Sequence, residues 1–461
     1  MASPQVLDIT RFIDDRRMNR FNAMVVIFSF FIILFDGYDI AAVGFAGPSL
    51  VKAWGIQSMA ALGAAFSAGL FGILFGSPLL GWVGDRYGRI VAIVGSCMVI
   101  GIFTLATAAA GSLTTLIWLR FFTGVGIGGM LPNIIALNAE FAPKRARATM
   151  IIVMFTGITF GGAVPGPVAA LFVPTYGWQI LFLIGGVAPL VIGLAAWAWL
   201  PESLKHLVVK EGGRERAVRI IKAMDPTLAI TPQTRLVVAD EKVYAAFRPT
   251  QLFQEGLRWI TPLLWLCFIC NLMSFYFLNT WLPTVLAAAH MPTSFAVLST
   301  SIFQIGGTLG GLSLSRPIDK SGLMPVCVLF VISLVVAPFL GYAREPEWLL
   351  ICVIFLSGFT LLGLQFGLNA TSAMIYPTSI RSNGSGWAFA VGRVGSVTGP
   401  IAAGVLIGMQ LTIEHLYLAL LVPLSIGTIA SFVLARLYYV RFQGMGLGRR
   451  DTLDAAARGA D

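Results

Sequence analysis

Four charged side chains lie deep inside long apolar stretches of this 461-residue chain: Asp36, Asp39, Arg120 and Arg393. A charge at the middle of a membrane-spanning helix costs about 2.5–3.5 kcal/mol on insertion scales, so such residues are rare and usually functional. Asp36 and Asp39 are three residues apart and share a helix face. Two carboxyl groups that close titrate as a coupled pair, which suits carriage of a proton. Arg120 enters its apolar stretch from the opposite direction and reaches a similar depth, so it is expected to face the Asp pair, with proton binding and a salt bridge in competition. Two blander readings stay open. The charges could form a structural ion pair locking two helices, or Asp39 could cap a helix broken at Gly37.

Arg393 stands twelve residues beyond Arg381, roughly 18 Å along a helix. Arginine forks onto carboxylates and stacks on aromatic faces, so a carboxylate-bearing ring would engage both properties. Tyr276, Trp281, Phe366, Trp387 and Phe389 are candidate packing partners. Asn133, Gln304, Asn271, Asn279, Gln365 and Asn369 could hydrogen-bond a ring hydroxyl or carboxylate. Core packing and interhelical hydrogen bonds account for the same residues equally well.

The elements that must hold these groups follow from composition. The chain is 57% hydrophobic and 11% charged, with a mean hydropathy of +0.84. Soluble proteins are about 25% charged, so a soluble enzyme and a disordered scaffold are both excluded. About 20 apolar residues cross a bilayer core. Runs of that kind fall near 21–50, 59–81, 90–110, 114–139, 149–172 and 178–200, then near 260–288, 293–314, 323–342, 347–373, 383–407 and 415–439. The expected fold is therefore an all-α membrane protein of twelve transmembrane helices in two six-helix lobes. Residues 1–20 form a tail, 21–200 the first lobe, 201–258 a central loop, 259–440 the second lobe and 441–461 a second tail. No short apolar core with a cleavage site precedes the first span, so a signal peptide is not expected.

The net charge of +10 is explained by topology. Of the 31 Lys and Arg, 27 fall on the side of the termini and central loop, which the positive-inside rule makes cytoplasmic. Nucleic acid is not needed as a partner. The central loop reads as short amphipathic helices on the inner membrane surface, in reach of anionic lipid. The Cys267–Cys270 pair has no second pair or nearby His, and all five cysteines read as buried hydrophobes. No metal or cofactor is expected, and no phosphate-binding loop suggests ATP. His206, His290 and His415 are placed in loops, which argues against a histidine relay. Gly124 to Gly129 follows no strand, so close helix packing is the better account than a dinucleotide loop.

The halves echo each other. Gly81, Asp85, Arg86 and Gly88 between spans 2 and 3 correspond to Ser315, Asp319, Lys320 and Gly322 between spans 8 and 9. Pro143 to Arg147 after span 4 matches Pro377 to Arg381 after span 10. Duplicated six-helix halves around a midplane site are a transporter architecture. Asp85, Arg86, Arg89, Glu140, Arg145 and Arg147 are expected to form a charge latch at one face, with Asp319 and Arg381 as its counterparts.

The G-x-x-x-D-R-x-G-R stretch, Gly81 to Arg89, resembles the signature of the major facilitator superfamily. Asp36-Gly37-Tyr38-Asp39 resembles the D-G-x-D of its aromatic acid:proton symporters, as do Arg120 to Gly129, Leu200 to Ser203, Tyr376 to Thr378 with Arg381, and Gly392-Arg393. The resemblance covers nearly the whole chain and implies a bacterial inner-membrane permease importing a benzoate-like acid with protons; a monomer is expected. The second-half loop departs at Ser315 and Lys320. Gly157 to Pro167 partly resembles a motif of drug:proton antiporters, which keeps a proton-driven exporter, or a transporter of another organic anion such as a muconate-like dicarboxylate, as alternatives.

Overall fold

The computed structural model describes residues 6–441 apart from 17, 57–58, 144–145, 210–212, 226–227, 229, 232–233, 238–248, 255, 290, 344–345 and 377–380. Strand β1 (Val6–Asp8) and helix α1 (Ile9–Asp14) lead into α2 (Arg20–Trp54), α3 (Met59–Tyr87), α4 (Arg89–Ala108), α5 (Leu113–Phe141), α6 (Arg147–Ala163), α7 (Pro165–Tyr176) and α8 (Gln179–Trp199). Two short helices, α9 (Leu204–Val209) and α10 (Arg214–Met224), and strand β2 (Arg235–Val237) join this half to the next. The second half comprises α11 (Ile260–Ala288), α12 (Thr293–Ser321), α13 (Met324–Phe339), α14 (Glu347–Ile375), α15 (Arg381–Gly408), α16 (Ile413–Leu418) and α17 (Leu421–Arg441).

Among the described residues, ten helices are long and apolar enough to cross a membrane. They occupy ten of the twelve expected runs, with α6–α7 and α16–α17 each filling one. The other two runs hold α12, of 29 residues, and α13, of only 16. The outward faces carry large apolar side chains such as Phe75, Ile102, Trp118, Leu194, Val335 and Ile429, a surface suited to lipid rather than water.

The pairing of helices repeats between halves. In the first, α3 packs on α5, α2 on α6 and α4 on α8; in the second, α12 packs on α14, α11 on α15 and α13 on α17. Small residues set the closest of these contacts. A Cβ on Gly72 or Gly76 would strike the α5 carbonyls of Phe121 and Val125, and one on Gly306 or Gly310 those of Phe355 and Phe359 in α14. The same four-residue spacing thus recurs in corresponding helices, as small-xxx-small packing requires.

The lobes meet through α3 with α15, α2 with α11, and α6–α7 with α12. Ser67 Oγ donates to the Val397 carbonyl and Ser301 Oγ to that of Ala163, both at 2.7 Å, and Phe66 meets Trp281 edge-on at 5.0 Å. These contacts lie in the half of the molecule remote from the termini.

Three local features differ from the sequence reading. The signature stretch is not a loop, because α3 runs through Tyr87 and breaks only at Gly88, whose φ of 118° admits little but glycine. The central segment is not merely amphipathic helices either. Strand β1 pairs in parallel with β2, and Arg16 reaches Asp225 at 2.7 Å, so the tail and central segment form one small unit. Cys352 is exposed, unlike the other four cysteines.

Candidate functional site

Helix α2 is continuous through Asp36 and Asp39, so neither caps a break. Asp39 is fully buried and Arg120 is 2% exposed. Arg120 Nη1 donates to Asp39 Oδ1 at 3.1 Å, Nη2 meets Oδ2 at 2.5 Å, and Nη2 also reaches the Asp39 carbonyl at 3.2 Å. Thr104 Oγ1 adds a donor at 2.7 Å to Oδ1, and the guanidinium lies over the Phe182 ring at 5.7 Å. The pair therefore ties α2 to α4, α5 and α8. Forked geometry plus extra hydrogen bonds is the arrangement in which attraction offsets the desolvation of a buried pair.

Asp36, one turn earlier, is treated differently. It is 1% exposed, yet neither carboxyl oxygen has a hydrogen-bond partner among the described residues. Arg120 therefore engages only one of the two acids, and the expected three-way cluster is not formed. The cation within electrostatic reach of Asp36 is Arg393 of the other lobe.

Between the lobes lies a cavity of about 170 Å³; an apolar cavity of roughly 150 Å³ holds one benzene ring. Arg393 lines it, near Tyr276, and its guanidinium makes no hydrogen bond or ion pair among the described residues. The walls are helical stripes. Helix α11 contributes Leu272, Phe275, Tyr276 and Asn279, and α14 contributes Leu362, Gln365, Phe366 and Asn369, both at i, i+3, i+4, i+7. The amides are linked: Gln304 Nε2 donates to Asn279 Oδ1 at 3.1 Å, Asn271 Nδ2 to Gln365 Oε1 at 3.0 Å, and Gln365 Nε2 to Asn369 Oδ1 at 2.9 Å.

Of the residues singled out for binding, Arg393, Tyr276 and Gln304 line this space and Arg120, Asn133 and Trp387 do not. Asn133 Nδ2 is spent on the carbonyls of Leu80 and Gly129, sealing α5 against α3. Trp387 stacks on Trp265, with centroids 6.1 Å apart. Six residues before Arg393, it points about 120° away around the helix, whereas Phe389 and Ser396 share the Arg393 face and line the cavity. Ser396, Phe155 and Thr159 escaped the sequence reading, because nothing distinguishes a small hydroxyl or a phenyl in an apolar helix until its face is known. His206 lies in α9 and His415 in α16, not in loops, and neither lines the cavity; His290 is outside the described residues. No cluster of three or more His, Cys, Asp or Glu suited to a metal occurs among the described residues.

At the end of the first lobe nearest the termini, Arg89 Nη1 meets Asp85 at 2.5 Å and its Nε meets Glu140 at 3.7 Å, linking α3, α4 and α5. Gly81 has open space around it, and Arg86 turns to the rings of Trp82 and Tyr87. The side chains of Arg147, Asp319 and Arg381 lie outside the described residues. One partner was not foreseen. Glu202 Oε1 accepts from the backbone N–H of Arg89 at 2.7 Å and Oε2 from that of Ile90 at 3.2 Å, so a carboxylate caps the start of α4 where the helix dipole favours it. Glu202→Ala should cost about 0.5–2 kcal/mol, as loss of a helix cap does, read as a lower midpoint of thermal unfolding in detergent. An unchanged midpoint would mean those N–H groups find other acceptors.

The Major Facilitator Superfamily model matches residues 29–400. The 4-hydroxybenzoate transporter PcaK of Pseudomonas putida is 33% identical over 429 residues, 93% of this chain and 95% of that protein. The benzoate transport protein of Acinetobacter baylyi is 33% identical, covering 93% and 92%. In fold, the partially occluded inward-open xylose transporter XylE of E. coli superimposes with a TM-score of 0.68 at 17% identity, over 91% of this chain and 98% of that one. A duplicated helical bundle with an arginine-lined cavity between its halves, matched along nearly its whole length by such relatives, belongs to the major facilitator superfamily, in its family of aromatic-acid permeases.

Proposed function

We propose that this protein is a proton-coupled symporter that imports an aromatic carboxylate of the benzoate or hydroxybenzoate type by alternating access. The observation that carries this reading is the guanidinium of Arg393, unpaired among the described residues, in an interlobe cavity with room for one ring. A carboxylate would pair with Arg393, the ring would pack among Tyr276, Phe366 and Phe389, and a ring hydroxyl would exchange into the amide network. Asp36 would carry the proton: an ionised carboxylate buried without a hydrogen-bond donor among the described residues is costly, and protonation removes the charge. With the termini cytoplasmic, as the Lys and Arg distribution favours, the contacts between Ser67 and Val397 and between Ser301 and Ala163 close the outer side. In that conformation, proton and acid would leave inward.

The test is uptake of labelled 4-hydroxybenzoate into proteoliposomes under an inward proton gradient, beside benzoate, protocatechuate and muconate. Accumulation of an aromatic acid that collapses with a protonophore is expected. Gradient-driven uptake of muconate alone, or none for any of them with folded protein, would overturn the assignment.

A further inference from the structure

A second and larger cavity, of about 750 Å³, lies at the end of the first lobe nearest the termini, between α4, α8 and the short helices α9 and α10. Its two walls differ in chemistry. One is apolar and aromatic: Ile90, Val91, Tyr87 and Trp197, the last 62% exposed on the outer face of its helix. The other carries His206, Arg216 and Arg219. Helix α10 buries Ala217, Ile221 and Met224, which turns Arg216 and Arg219 to the cavity side. Neither arginine has an ion-pair partner among the described residues, and His206 Nε2 is buried without a hydrogen-bond partner. The one acid in the wall, Glu202, is committed to the backbone N–H groups of Arg89, Ile90 and Ser203. Among the described residues, the cavity therefore has a cationic end without a counter-ion.

We infer that this cavity is a binding site for an anionic phospholipid, with the headgroup phosphate between His206, Arg216 and Arg219 and an acyl chain along Val91 and Trp197. A free phosphate would satisfy the cations, but it would leave the aromatic wall facing water. A zwitterionic lipid would supply the chain, but its own ammonium would oppose the arginines. Basic pockets beside membrane helices select anionic headgroups for this reason, and an exposed tryptophan suits the bilayer interface. The roof of the site is anchored, since Asn19 Nδ2 donates to the Met224 carbonyl at 3.4 Å and Arg16 pairs with Asp225. An occupied site would brace the central segment against the first lobe.

The test is binding of fluorescent phosphatidylglycerol to the full-length protein in detergent, beside phosphatidylcholine and inorganic phosphate. Phosphatidylglycerol should bind more tightly than phosphatidylcholine. The double variant R216Q/R219Q should weaken it roughly 30-fold, from the usual contribution of two surface cations, while R216K/R219K keeps most of it. Equal binding of the two lipids, or wild-type affinity in R216Q/R219Q, would overturn the inference. Displacement of the lipid by millimolar inorganic phosphate would make this a free-anion site and would overturn it too.

Discussion

Arg393→Lys should raise the apparent KM for an aromatic carboxylate roughly 10- to 100-fold, which is the ~1.5–3 kcal/mol of a charge-assisted hydrogen bond converted at about 1.4 kcal/mol per tenfold. The substitution keeps the positive charge, so simple attraction survives. What it removes is the planar fork that bonds both carboxylate oxygens and the flat face that stacks on a ring. The site is built to use that fork. Gly392 and Gly395, either side of Arg393, pack α15 closely on α11 at Phe268 and Ile269, which holds the guanidinium at fixed depth beside Tyr276. Ser396 Oγ turns back onto the Arg393 carbonyl at 2.7 Å and so does not compete for the guanidinium. Binding of labelled substrate to detergent-solubilised protein, measured beside initial uptake rates, separates affinity from turnover. Unchanged affinity in the lysine variant would place the carboxylate elsewhere in the cavity.

Much of this arrangement is legible in the amino-acid sequence. A charge inside an apolar run is conspicuous, so Asp36, Asp39, Arg120 and Arg393 stood out, and hydropathy located the helices that carry them. Rotation about each helix axis was not legible, and that decides what a side chain meets. Trp387 and Phe389 are two residues apart in one helix, yet only Phe389 lines the cavity. The stripes on α11 and α14, by contrast, follow strict i, i+3, i+4, i+7 spacing with an amide at the end, a pattern visible in sequence when the helix is assumed. Glu202 illustrates a different gap. The partners that tie it to α4 are backbone N–H groups more than a hundred positions away, and backbone groups leave no mark in a sequence.

The two acids of α2, alike in sequence, should fail in opposite ways when neutralised. Asp36→Asn should abolish proton-driven accumulation while leaving exchange of substrate across the membrane near the wild-type rate. The amide is nearly the same size and mimics the protonated acid, and Asp36 has no hydrogen bond to lose among the described residues. Folding and substrate binding should then persist, and only the response to the gradient should go. Asp39→Asn should instead destabilise the protein, because it strands a 2%-exposed Arg120 whose hydrogen bonds run to Asp39. Breaking a buried pair by removing one partner costs about 3–5 kcal/mol, which would appear first as lower yield of folded protein. Paired assays of accumulation and counterflow in the same proteoliposomes, with thermal unfolding in detergent, resolve the two outcomes. Normal accumulation by Asp36→Asn would remove this residue from the coupling step. Loss of coupling by Asp39→Asn in a protein of undiminished stability would move the proton to the Asp39–Arg120 pair, whose opening would then have to accompany each turnover.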